Sequence, residues 1–246
     1  MQEKLAFDGH EITAEQIQSL QSRTDLKELV IWGGPMTKDR LEPISRLTWL
    51  TGLVLGEMPV DDGIFEYLAP LRNLEYLAIA YTNIQGDFTT LSGLPLKDVR
   101  LEGCRRVGDL CAKTLATFPT LRQLEIHMTG LTDSGLKHFE NSHLEVLWLG
   151  PRITDTGMKM VGTMRRLRHL DVCAHLVTDD GVRELIALPD LEVLWLTRCR
   201  ITDDVIPLLA DCRNLRELNV RHTEVTDQGI ERLRQALPHC RIVDAD

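Results

Sequence analysis

The stretch LEVLWLTRCRITDDVIPLLADCRN, residues 191–214, decides the fold. Leu191, Leu194 and Leu196 follow an LxxLxL pattern, whose last two leucines have the two-residue period of a strand with one buried face. Thr202-Asp203 is a helix-start signal, and Ile206 and Leu209 follow it at helical spacing. A single strand, turn and helix cannot bury its own apolar side. It needs neighbours of the same kind.

The chain supplies them. Aligned on the first leucine, copies begin at Leu26, Leu50, Leu74, Leu96, Leu121, Leu144, Leu167, Leu191 and Leu215, 22 to 25 residues apart, with a degenerate start at Cys240. Leu5 and Phe7 align with Leu194 and Leu196, and Ile12-Thr13 with Ile201-Thr202, so half a repeat precedes the first full one. At the other end Cys240 and Val243 take strand positions. The expected organisation is a single domain over residues 1–246, with a half-repeat cap over 1–25, nine repeats over 26–239 and a capping strand over 240–246. Caps are expected because an end repeat otherwise leaves an apolar face and a strand edge open to water.

The leucine pattern and its period resemble the leucine-rich repeat family, across nearly the whole chain. The resemblance implies an α/β fold, a right-handed solenoid shaped as a horseshoe or arc, with a parallel sheet on its concave face and helices on its convex face. Cys212 in LLADCRNLRELNV is similar to the cysteine-containing repeats of ubiquitin-ligase substrate receptors. The TDxG turns and the ending ALPHC are similar to stand-alone bacterial repeat proteins.

Those turns read LTDSG at Leu131, ITDTG at Ile153, VTDDG at Val177, ITDDV at Ile201 and VTDQG at Val225. Thr or Asp there can accept from free N–H groups at a helix start, and a carboxylate suits the positive helix end. Each aspartate is therefore expected to cap its own helix rather than to hold a metal. In the first four full repeats MTKDR, PVDDG, IQGDF and VGDLC replace the pattern, which predicts less regular turns and helices. Three residues past the third strand leucine stand Thr82, Cys104, Thr129, Cys199 and Thr223, expected to serve buried backbone groups in the turn. His175 holds the same place in its repeat and is expected to be buried and hydrogen-bonded.

Between the inward leucines lie the outward residues, which map the binding face. Trp32, Trp148 and Trp195, three of the four tryptophans, fall on it. Large aromatic groups in water point to a partner that covers them. Trp148 and Trp195 share a row two strands apart, roughly 10 Å between Cα atoms, with Asp171 between them. Val146 and Val193 flank His169 in the next row. Val146, Trp148, His169, Asp171, Val193 and Trp195 thus form the expected primary partner-binding patch, a seat for a segment with one basic and one apolar anchor. Trp32, Tyr76 and Tyr81 form a secondary one.

His169, Asp171 and Cys173 share one strand face, yet alternate strand residues stand about 6.5–7 Å apart, beyond the roughly 3 Å reach of a nucleophile and its base. No helix N-terminus or Gly-rich turn supplies an oxyanion site there. A His127–Cys173 metal pair finds no third ligand. The expectation is a non-enzymatic protein-interaction module with no catalytic residues, no metal and no cofactor. A formal charge of −9 speaks against nucleic acid as partner, and a protein or peptide is expected instead. No membrane association is expected, since no apolar run approaches the ~20 residues of a membrane span, and without a signal h-region the expected location is cytoplasmic. Six widely spaced cysteines fit reduced thiols. The alternatives are a substrate-receptor subunit of a ubiquitin-ligase-like complex, which with only half a repeat before Leu26 would need a further segment carrying an F-box or a different adaptor, and a self-associating structural protein.

Overall fold

The computed structural model describes residues 3–244. Eleven strands alternate with short helical segments, and the residues group into two compact units divided between Leu121 and Arg122. The first unit holds β1 (Lys4–Asp8), β2 (Glu28–Trp32), β3 (Gly52–Gly56), β4 (Tyr76–Ala80) and β5 (Asp98–Arg100), paired in parallel in chain order. The second holds β6 (Gln123–Glu125), β7 (Val146–Leu149), β8 (His169–Val172), β9 (Val193–Trp195), β10 (Glu217–Asn219) and β11 (Arg241–Val243), again parallel and in order. Each unit is a stack of strand–turn–helix repeats, an α/β repeat solenoid.

Register follows the leucines. Leu5 pairs with Leu29 and Leu29 with Leu53, and Leu147 pairs with Leu170 and Leu170 with Leu194. The inward positions of β2 to β10 are buried, and each buried leucine contributes about 1.5–3 kcal/mol of transfer free energy. β1 pairs with β2 along its whole length, and Thr13 caps the helix Ala14–Ser19 through a reciprocal box with Gln16. Leu5 and Phe7 on the outermost strand remain only half-buried.

At the other end the register departs from expectation. Leu218 pairs with Ile242, so Ile242 takes the leucine position and Val243 falls in the outward row beside Asn219. The helix Asp227–Ala236 and the turn at Leu237 use one residue fewer than the alignment on Cys240 assumes. A one-residue slip exchanges the two faces of the strand.

The expected irregularity of the early repeats is seen in part. One has only a 3-10 turn, Phe88–Leu91, while another carries the eight-residue helix Lys38–Ser45. Helices in the second unit are short as well, four to seven residues between β6 and β10.

The TDxG turns work differently from their sequence reading. Threonine is the cap: Thr132, Thr154, Thr178, Thr202 and Thr226 each accept from a backbone N–H of the following helical turn. The aspartate is the first helical residue, and its carboxylate turns to the next repeat. Asp155 accepts from the Thr178 N–H at 2.8 Å and the Thr178 hydroxyl at 2.7 Å. Asp133 does the same with Thr154, Asp179 with Thr202 and Asp203 with Thr226. A carboxylate holding the N–H and hydroxyl of the next cap ties neighbouring repeats together. The motif's glycine now has a cause. A Cβ on Gly181 would stand 2.4 Å from Asp155 Oδ1, and one on Gly229 2.0 Å from Asp203 Oδ1.

The turn residues serve buried backbone as expected. Thr129 donates to the Ile126 carbonyl and Thr223 to that of Val220, whereas the Cys104 and Cys199 thiols reach back one repeat to the Ile79 and Val172 carbonyls. Thr82 instead meets the Cys104 thiol at 3.3 Å, and His175 is exposed. In most repeats the residue two past the third leucine is left-handed (Glu57, Tyr81, Met128, Arg198 and His222 have φ between 52° and 62°), which turns the next side chain inward. Ala174 keeps a negative φ and is itself buried, leaving His175 outside.

Candidate protein-binding face

The parallel register of β6 to β10 sets the outward side chains in rows. Gln123, Val146, His169, Val193 and Glu217 form one row, and Glu125, Trp148, Asp171, Trp195 and Asn219 the next. The expected primary patch is thus contiguous along three strands, and all six of its residues are half-buried.

Within it the rings choose their partners across rows. His169 sits between the two indoles, with ring centroids 5.9 Å from Trp148 and 5.5 Å from Trp195, both edge-on. The Trp148 Nε1–H points to His169 Nε2 at 3.4 Å, and the Trp195 Nε1–H donates to Glu217 Oε1 at 2.9 Å. The backbone of Asp171 lies between the tryptophans, as the register requires, but its side chain is not the group between their rings. Neither tryptophan stands free in water, and the mutual packing leaves a ridge of three rings with valines on either side of its centre.

Burial drives the titration of this face. It pushes the His169 imidazole below its usual range, opposed by Glu217, so the ring is neutral at physiological pH. It raises the Asp171 carboxyl to about 6, against a smaller opposing pull from His127. The Cys173 thiol is raised too, by burial first, with Arg198 opposing and Asp171 adding to the effect. Such a thiol remains protonated.

Beside the ridge lies an open depression of about 280 Å³, lined among others by His127, Asp171, Cys173, Trp195, Arg198 and Arg221. His127 and Cys173 are two strands apart, yet both reach it. The position between them in the row is Gly150, which has no side chain to separate them. Arg198 and His222, also at the rim, were missed when the face was read from its strands alone. Their signal was the left-handed turn position two residues past the third leucine, which carries side chains out over the strand ends.

The expected secondary patch is only partly assembled. Trp32 and Tyr81 meet edge-on at 6.4 Å, and they remain 37% and 42% exposed, among the few large apolar groups left so open. Trp32 lies over Gly56, where a Cβ would come within 2.3 Å of its ring, and Tyr81 lies over Gly103 in the same way. Tyr81 donates to Glu102 at 2.6 Å. Tyr76 does not join them and carries the Arg100 guanidinium over its ring at 5.2 Å.

Among the described residues no group of three His, Cys, Asp or Glu side chains is placed to hold a metal ion, and no helix is long and apolar enough to cross a membrane. All six cysteines are free thiols.

Comparison with known proteins agrees with the repeat geometry. The Leucine Rich repeat family matches residues 211–233. An internalin from Listeria monocytogenes superposes with a TM-score of 0.66 at 21% identity, over 94% of this chain and 64% of that one. Protein PAC2 of Saccharomyces cerevisiae is 31% identical over 83 residues, which is 32% of this chain and 16% of PAC2. The chain thus spans less than two thirds of the length of either relative. Stacked LxxLxL strands and turn-serving Thr and Cys make a leucine-rich repeat fold, and the family match over residues 211–233 and the internalin superposition support it.

Proposed function

We propose that the chain is a non-enzymatic interaction module that binds a protein or peptide on the outward sheet face of its second unit. The residues assigned to contact are Val146, Trp148, His169, Asp171, Val193 and Trp195. The ring ridge Trp148–His169–Trp195 carries this reading. Three edge-packed rings flanked by two valines offer a rigid, mainly apolar surface, and tryptophan is the residue most enriched among interface anchors. Repeat solenoids present extended faces of this kind to partners. The raised Cys173 thiol supports binding over nucleophilic chemistry, since a thiol held protonated is not activated. Trp32 and Tyr81, with Tyr76 beside them, are assigned a secondary contact in the first unit.

Replacing Trp148 and Trp195 together with alanine tests the assignment. Capture of the partner should fall at least tenfold, the size expected from losing one or two anchor residues of about 2 kcal/mol each. Circular dichroism and sizing should still report a folded chain. Undiminished capture by a folded double variant would remove the ridge from the interface.

A further inference from the structure

In the second unit an aspartate at the first helical position closes the seam between neighbouring turns, as Asp155 does by holding Thr178. The seam between the first two full repeats has no such tie. Lys38, not an aspartate, opens the helix Lys38–Ser45, and the next cap is Asp61 where the second unit has threonine. Asp61 Oδ1 accepts from the Gly63 N–H of its own turn at 3.0 Å. The following seam is closed again, because the Asp62 carboxylate accepts from the N–H groups of Gln85, Gly86 and Asp87. Where the tie is missing, a groove of about 360 Å³ stays open between the helix Lys38–Ser45 and the helical turns Asp62–Ile64 and Phe65–Leu68.

This groove has an apolar floor and an acidic rim. Met36 and Leu41 form the floor on one side and Val60 and Ile64 on the other, all four buried, with Pro59 and Tyr67 as walls. The charged groups among its lining residues are the carboxylates of Asp61 and Glu66, both exposed, and no lysine, arginine or histidine lines it. Arg40, next to Leu41 in the chain, donates instead to the Gly9 and Pro35 carbonyls. On the other side of the same helix a second groove, of about 300 Å³, carries Glu15, Asp39 and Glu42, and its one cation, Arg46, is paired with Glu42 at 2.9 Å.

An apolar trough under two carboxylates selects among occupants. An acidic segment would meet like charges, and a wholly apolar one would press carbon against carboxylates that need water or a donor. Lysine and arginine suit both parts, since their methylene stems lie along apolar surface while the charged head stays at the wet rim. We propose that this groove of the first unit receives a lysine or arginine side chain of a basic partner segment, its stem on Met36, Leu41, Val60 and Ile64 and its head between Asp61 and Glu66. A second basic residue of the same segment, crossing the helix Lys38–Ser45, reaches Asp39. The site is separate from the sheet face of the second unit and binds independently of it.

NMR titration of the methyl- and ring-labelled full chain at pH 6.5 tests this with three blocked peptides. The first is acetyl-Gly-Arg-Leu-Arg-Leu-Gly-amide. The second replaces both arginines with glutamate, and the third with 2,4-diaminobutyrate, which keeps the charge on a shorter stem. The arginine peptide is expected to shift the methyl signals of Met36 and Ile64 and the ring of Tyr67, with the glutamate peptide leaving them unmoved and the diaminobutyrate peptide binding at least fivefold more weakly. Glu66→Lys, a change at an exposed position, should weaken the arginine peptide at least tenfold while the rest of the spectrum stays native. Equal binding of the short-stem peptide would overturn the proposal, since charge alone would then suffice. Signals that no peptide moves, a preference for glutamate, or shifts that survive Glu66→Lys would overturn it as well.

Discussion

Asp171→Asn is the perturbation whose size follows most directly from the site. The carboxyl of Asp171 is raised from 3.8 to about 6, chiefly because the fold buries it, with His127 opposing. A raised carboxyl favours the neutral form in the fold. Its contribution is fully present below about pH 4, where the group is protonated in both folded and unfolded chains, and is lost as pH rises through about 6. The distance between the two values corresponds to about 3 kcal/mol that the ionised carboxylate takes from stability above pH 7. Asparagine keeps the shape without the charge. The variant should therefore match the parent near pH 4 and exceed it by up to about 3 kcal/mol at pH 8, roughly 6–12 °C in melting temperature for a chain of this length. Other groups facing this site, His127, His169, Cys173 and Arg198, are common to both proteins, and their own titration largely cancels in the difference. Urea unfolding from pH 4 to 8.5 measures it. A difference that stays constant with pH, or a variant less stable at pH 8, would refute the assigned burial of Asp171.

Two further outcomes follow from the repeat turns and the thiols. Asp155→Ala removes two hydrogen bonds to Thr178 and should cost roughly 1–3 kcal/mol, and Gly181→Ala, which drives a Cβ onto the same carboxylate, a similar amount. Because both act through Asp155 Oδ1, the double variant should lose clearly less than the sum in a urea double-mutant cycle; simple additivity would contradict the inter-repeat tie. Thiol labelling of the native chain at pH 8 should reach the half-buried Cys173 and Cys240 before the buried Cys104, Cys111, Cys199 and Cys212. Burial pushes the Cys199 thiol up to about 12. Mass spectrometry reads the order, and early modification of Cys199 in folded protein would contradict its place in the core.

The strand of every repeat was legible because leucines at fixed spacing determine both the buried face and the parallel register. Trp148, His169 and Trp195 could be placed in adjacent rows for the same reason. Side-chain direction was not legible. The period says that Asp171 lies between two tryptophans, but only packing decides that their rings turn to His169. The TDxG aspartates show the same limit, since spacing locates a carboxylate at a helix start without revealing that it bonds to the following repeat. His175 and the last strand failed on the backbone: a negative φ at Ala174 and one residue fewer before Ile242 each moved side chains to the other side. Arg198 and His222 escaped notice because they sit in turns, outside the alternation that maps a strand.

The central claim concerns which face meets a partner, and site-specific photocrosslinking in cells tests it most directly. A photoreactive residue replacing Thr197, beside Trp195 on the outward face, is compared with one replacing the exposed Lys159 on a helix of the second unit. The account predicts a discrete protein adduct from position 197 that disappears when Trp148 and Trp195 are replaced with alanine, and none from position 159. An adduct from position 159 alone, or one from 197 that survives loss of both tryptophans in a folded chain, would contradict it.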